Sequence, residues 1–223
     1  MGFFVYTLQK QYYKYIVNME KQNLRVGIDV NGVLRDTINK VEQTYQKFMI
    51  DKTDGIEDED VFDYKITYPI NTTDLKNHFT FKSDEELFSF LYEDFPMEIF
   101  GHAPSREYST FNDLNEIYLR LRDEIDFLII SNEVGKSKPA TLFFLSKFGC
   151  QFEKVKFYSE YTINSMWNEI DVLLTANPTL LLDYPEGKML IKYRTEYNEH
   201  IPFDNTINTI KELDAKLKTL EPC

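Results

Sequence analysis

Cysteine is almost missing from this chain. Its 223 residues hold only Cys150 and Cys223, which leaves no disulfide framework and no thiolate cluster of the kind that holds zinc. Long apolar runs are missing too. None approaches the roughly 18 residues a membrane span needs, and the start, MGFFVYTLQKQYYKYIVNMEKQN, has no uninterrupted apolar core or small-residue cleavage site, so neither a membrane nor a signal peptide is expected. Basic runs do not occur. Twenty-five lysines and arginines face 37 acids for a net charge of −12, which argues against a nucleic-acid backbone as partner and leaves small anions only a local site. The three histidines, His78, His102 and His200, are far apart and share no metal-ligand spacing. The acidic run IEDED (56–60) lacks the spaced pattern of a calcium loop and reads as a solvated face.

What remains is a chain with 43% hydrophobic residues, enough to bury a full core. Phe4, Leu8, Tyr12, Tyr15 and Ile16 recur at spacings of three and four, the mark of one apolar helix face; residues 1–23 are therefore read as an aromatic arm that either packs on its own domain or docks on a protein partner. From Leu24 on, strand and helix signals alternate. LRVGIDV, DFLIIS, VKFYS, IDVLLTA and KMLIKYR read as strands, and helices are expected over 36–49, around STFNDLNEIYLRLRDE, over 139–147 and, at the end, over TINTIKELDAKLKTL. Strands separated by helices imply a parallel α/β sheet. Residues 38–106 break the rhythm. They include SDEELFSFLYEDF, where Ser83 and Glu86 have capping-box spacing, and are read as an inserted helical cap over the carboxyl ends of the strands, where open α/β sheets place their ligands. Residues 24–37 and 107–223 then form the core. Trp167 and the aromatics Phe88, Phe90, Tyr92, Phe95 and Phe100 read as core, with a cleft for a base as the alternative.

Three polar stretches stand at strand ends: DVNGVLRDT after the first strand, IISN after the second and DVLLTANP after a later one. In their order and spacing they resemble the haloacid dehalogenase superfamily of phosphotransferases, and within it the 5′(3′)-deoxyribonucleotidase group. That group is similar in its cap after the first motif, in the helix GKSKPATLFFLSKFG and in the polar KYRTEYNEH near the end. The likeness runs over about residues 24–215 and implies a Rossmann-type parallel sheet flanked by helices with a small helical cap. It also implies Asp29 as the nucleophile that forms an aspartyl-phosphate and as a ligand of Mg2+, with Ser131 offering a hydroxyl to the transferring phosphoryl group. Gly32, Asn132, Lys136 and Lys138 are the implied phosphate contacts.

The departures from that pattern fall on its chemistry. Where the family has a second acid that protonates the leaving group, this chain has Asn31. An amide exchanges no proton at neutral pH, and losing a general acid typically costs about 10²- to 10⁴-fold. The lysine expected after VKFYS is replaced by Ser159, Glu160 and Tyr161, and the paired metal acids by Thr175 and Ala176. Asp171 lies four residues upstream, about 13 Å down the strand toward the wrong end of the sheet, while Asp183 lies beyond the turn. The first reading is thus a nucleotidase-like pseudoenzyme acting as a binding or structural module in a larger assembly, with a phage particle or the cytoplasm as its setting and a nucleotide or phosphate as its retained ligand. The second is an active Mg2+-dependent 5′-nucleotidase.

Overall fold

A computed structural model gives the structure of residues 23–53 and 62–219. The aromatic face read from Phe4 to Ile16 and the acidic run 56–60 lie outside these described residues.

Six strands form one parallel sheet in the order β3-β2-β1-β4-β5-β6. They are β1 (Leu24–Asp29), β2 (Ile125–Asn132), β3 (Val155–Tyr158), β4 (Val172–Thr175), β5 (Met189–Tyr193) and β6 (Thr206–Ile207). The apolar runs of the sequence are the inner strands, because a parallel sheet is covered on both faces and needs apolar side chains in both directions. Val26, Ile28, Phe127, Ile129, Val172 and Leu174 point to one face, while Leu128, Ile130, Leu173 and Leu190 join a second apolar cluster. Helices α3 (Thr110–Leu121), α4 (Ser137–Lys147) and α7 (Leu213–Thr219) cover the first face through Leu114, Phe144 and Leu213; α5 (Ile163–Trp167) and α6 (Pro178–Leu182) cover the second through Trp167 and Leu180. This is the α/β class expected from the alternating pattern.

A third cluster is built between β1 and α3. Helix α1 (Thr37–Thr53) supplies Val41, Tyr45 and Phe48, and helix α2 (Asp84–Ser89) runs into two π-helical turns, Phe90–Asp94 and Met97–Gly101. Ser83 caps α2 by accepting from the Glu86 amide at 3.3 Å, while the Glu86 carboxylate accepts from the Lys82 amide rather than from Ser83, so the capping box is only half made. Phe79 and Phe90 pack edge-on against Tyr45 and Phe95 edge-on against Phe48, as aromatic quadrupoles favour, while Phe100 stacks on Tyr92. Trp167 belongs instead to the second core cluster.

The C-terminal stretch differs from the single helix expected. Thr206–Ile207 pairs with β5 as a parallel edge strand, with the Lys192 amide donating to Asn205 at 2.8 Å and the Arg194 amide to Ile207 at 2.9 Å; the helix proper begins only at Leu213. The β-branched run TINTI suits an extended strand better than a helix.

Candidate active site and its cavity

The ends of three strands meet at Asp29. The parallel register sets Ile28 beside Leu174, which brings Thr175 level with Asp29, and pairs Asp29 with Ile130, which brings Ser131 one step above. The chain then turns sharply. The amides of Leu34 and Arg35 both donate to the Val30 carbonyl, and Gly32 holds φ at 79°. A side chain at position 32 is strained for that reason and also blocked, since its Cβ would stand 1.9 Å from the Tyr197 hydroxyl oxygen. Tyr197 is carried there by the polar stretch after β5, where Asn198 donates to the carbonyls of Ala176 and Tyr193 and closes the loop onto the sheet.

Asp29 is 2% exposed. One carboxylate oxygen accepts from the Thr175 hydroxyl at 2.9 Å, the other from the Asn31 amide at 3.3 Å. Burial dominates these bonds and pushes its pKa up to about 7, because a carboxylate withdrawn from water resists ionisation.

Asn31 turns its side chain away from Asp29. Its carbonyl oxygen accepts from Arg35 at 2.7 Å and from the Thr37 hydroxyl at 2.8 Å, and its NH2 donates to the Ser131 hydroxyl at 3.3 Å. Behind it Arg35 is completely buried. It donates to Glu133 at 2.5 Å, to the Phe100 carbonyl at 2.8 Å and to Thr141 at 2.7 Å, with its guanidinium 5.0 Å from the Phe100 ring centre. Burial lowers the affinity of this guanidinium for its proton while the Glu133 carboxylate raises it, and Arg35 stays charged. One Glu133 oxygen accepts from Arg35, Ser131 and Thr141; the other is buried without a partner.

A cavity of about 430 Å³ opens over Asp29, between the strand ends and the inserted segment. Asp29, Asn31, Gly32 and Asn132 line it, while Ser131 is fully buried beneath, bonded to Asn31 and Glu133. Lys136 and Lys138 do not line it. Lys136 donates to the Glu93 carbonyl at 3.3 Å, and the Lys138 ammonium lies 5.9 Å from the Phe157 ring centre, both being drawn sideways at the start of α4. Among the described residues no lysine takes the place expected after β3: Lys156 pairs with Glu169 and Lys192 donates to the Ile201 carbonyl. Asp171 pairs with Arg25 at 2.6 Å at the opposite end of the sheet, and Asp183 follows α6 outside the cavity lining.

No family model matches this chain, and no curated protein matches it at a significant level. Solved structures do. A putative haloacid dehalogenase-like hydrolase from Burkholderia xenovorans is 12% identical with a TM-score of 0.55, over 87% of this chain and 96% of that one. A haloacid dehalogenase-superfamily hydrolase from Geobacter sulfurreducens is 13% identical with a TM-score of 0.52, over 86% and 98%. This is the haloacid dehalogenase-like fold. A third structure, the putative hydrolase YfnB from Bacillus subtilis, described as bound to magnesium, is 13% identical with a TM-score of 0.50 over 89% of this chain and all of that one.

On this haloacid dehalogenase-like scaffold the donor set does not suit magnesium. No group of three or more acid, histidine or cysteine side chains able to hold a metal occurs among the described residues. Asp29 stands alone, with one hydrogen bond on each oxygen and its ionisation opposed by burial.

The sequence reading singled out Asp29, Asn31 and Ser131, which the fold brings together, but missed the buried group behind them. Glu133 follows IISN directly and looks like a loop acid. Nothing local marks it as buried, since its neighbour Asn132 is exposed; only the pairing with Arg35 that the fold makes allows the carboxylate to be enclosed.

Proposed function

We propose that this chain is a ligand-binding module that keeps the haloacid dehalogenase-like scaffold and does not transfer phosphoryl groups. The observation that carries this reading is the state of Asn31. It has no proton to give, and its amide is committed on both sides to Arg35, Thr37 and Ser131, so rotation toward a leaving group would break three bonds. Thr175 supports the same reading. Where a metal acid would stand, a hydroxyl donates to Asp29 and brings no negative charge for a cation. Asp29 is thereby suited to accept hydrogen bonds from a ligand rather than to attack phosphorus.

The test is release of phosphate from deoxyadenosine monophosphate with excess magnesium, by the native protein and by Asp29→Ala. The expected result is no release above background in either. Turnover in the native protein that disappears in Asp29→Ala would overturn the proposal and favour a magnesium-dependent nucleotidase. We assign the aromatic segment 1–23 to contact with a protein partner, because tyrosine and phenylalanine are favoured interface anchors; removing it should abolish co-purification of any assembly without altering the fold of residues 24–219.

A further inference from the structure

Asn31 is followed by Gly32, and no other asparagine in the chain precedes a glycine. That pair is chemically labile. Glycine has no side chain to shield its backbone nitrogen, so the nitrogen can reach the asparagine carboxamide and close a cyclic imide. The new bond joins Gly32 N to Asn31 Cγ, the Gly32 amide proton passes to water or hydroxide, and the carboxamide nitrogen leaves as ammonia. Water then opens the ring. Attack at Cγ leaves aspartate at position 31 in a normal chain, whereas attack at the main-chain carbonyl leaves isoaspartate, with the chain rerouted through the side-chain carbons.

In the folded chain both reacting groups are engaged elsewhere. The Gly32 N–H donates to the Arg35 carbonyl at 2.9 Å, and the Asn31 carboxamide accepts from Arg35 at 2.7 Å and Thr37 at 2.8 Å while donating to Ser131 at 3.3 Å. Ring closure must break all of these bonds. Donation from the guanidinium polarises the Asn31 carbonyl, which favours attack, but that gain is idle while the Gly32 nitrogen stays bonded to Arg35 and the carboxamide is turned to Ser131. Each such bond is worth a factor of about 2 to 10 in an equilibrium, and together they outweigh the polarisation. The turn is also closed to the isoaspartate product. The amides of Leu34 and Arg35 share the Val30 carbonyl, and a Cβ at Gly32 would stand 1.9 Å from the Tyr197 hydroxyl oxygen, so an extra main-chain atom before Gly32 finds no room.

We infer that Asn31–Gly32 is a covalent modification site that the native loop holds shut: a chain whose loop opens, or that stays unfolded, loses ammonia there, and its isoaspartate form cannot rebuild the turn. The rate of modification then follows the population of the open form. This concerns the loop itself and holds whatever occupies the cavity.

The test is mass spectrometry of the peptide that carries position 31, with isoaspartate read by enzymatic methylation, after the full chain is incubated at one mildly alkaline pH either folded or unfolded in guanidinium chloride. Loss of ammonia at Asn31 is expected to be at least about 20-fold slower in the folded chain. Thr37→Val deletes one bond to Asn31 and should speed the folded reaction about 2- to 10-fold while leaving the unfolded one unchanged. On dilution from denaturant, the fraction that fails to refold should contain the isoaspartate and grow with time of incubation, and should not grow for Asn31→Ala. Folded and unfolded rates within about 3-fold of each other, an unchanged folded rate in Thr37→Val, or refolding of the isoaspartate form would each overturn the inference. The comparison of folded with unfolded chain needs no variant, so it decides the matter even if Thr37→Val weakens the fold.

Discussion

The loop from Asp29 to Arg35 has two sides that are opposites in bonding. Behind it, Arg35 and Glu133 are fully buried, share one charge pair and engage Thr37, Thr141, Ser131 and the Phe100 carbonyl, with a single carboxylate oxygen left over. In front, Asp29 has two bonds, Tyr158 has none on its hydroxyl, and no cation lines the cavity among the described residues. The rear is self-sufficient and holds shape. The front is sparsely bonded, and Asn31, bonded to both Arg35 and Ser131, faces the rear although its position belongs to the front.

The contrast breaks most severely at Arg35. Replacing it with Met leaves Glu133 charged and buried, at a cost of about 3–5 kcal/mol, or a fall in Tm of about 10 °C on a chain of this size. Adding Glu133→Leu to Arg35→Met should recover more than half of that loss in thermal denaturation; no recovery would mean that the guanidinium's other bonds hold this region rather than the ion pair.

The front side is expected to respond to pH instead. The ordinary carboxyl value of 3.8 is raised to about 7 in the folded chain, so between these values the native state keeps a proton that the unfolded state has released. Stability associated with Asp29 is therefore greatest in acid, declines as pH rises from about 4 to about 7 and is flat above. Asp29→Asn should remove that slope, with a difference of about 4 kcal/mol between acid and alkaline conditions in urea titrations. Parallel slopes for the two proteins would show that Asp29 ionises freely.

Restoring an acid at position 31 gives a smaller effect. In Asn31→Asp the new carboxylate lies where Arg35 already donates at 2.7 Å and Thr37 at 2.8 Å, and it forms an ion pair rather than a proton donor. Ser131 loses the amide that donated to it. The net change in stability should stay within about 1 kcal/mol, and phosphate release should remain absent. Activity gained by this single substitution would show that the rear does not control the side chain at 31. Smallest of all, Tyr158→Phe removes an unpaired buried hydroxyl and should leave stability unchanged or raise it by up to about 1 kcal/mol, read by thermal denaturation without ligand.

Much of this fold could be read from the chain because its signals are local. Each inner strand is a short apolar run, and Asp29, Ser131 and Thr175 sit at the ends of such runs, where a parallel sheet gathers them. The rear network escaped because it is made by the fold. Arg35 and Glu133 are 98 residues apart and become partners only when β1 and β2 pair. Lys136 and Lys138 follow a strand end, as phosphate ligands often do, but the start of α4 turns them toward Glu93 and Phe157. TINTI read as helix because its apolar spacing suits one; the free edge of β5, invisible in the sequence, captured it.

Arg35 also ties together parts of the chain that fold locally. One guanidinium reaches the turn after β1, the Phe100 carbonyl at the end of the inserted segment and Thr141 in α4. Loosening the inserted segment alone would strip bonds from a buried charge, so local opening carries much of the cost of global opening. Amide hydrogens of Phe90–Gly101 should then exchange at rates close to those of β1, and the chamber above Asp29 should admit and release its occupant through its mouth rather than by lifting its roof.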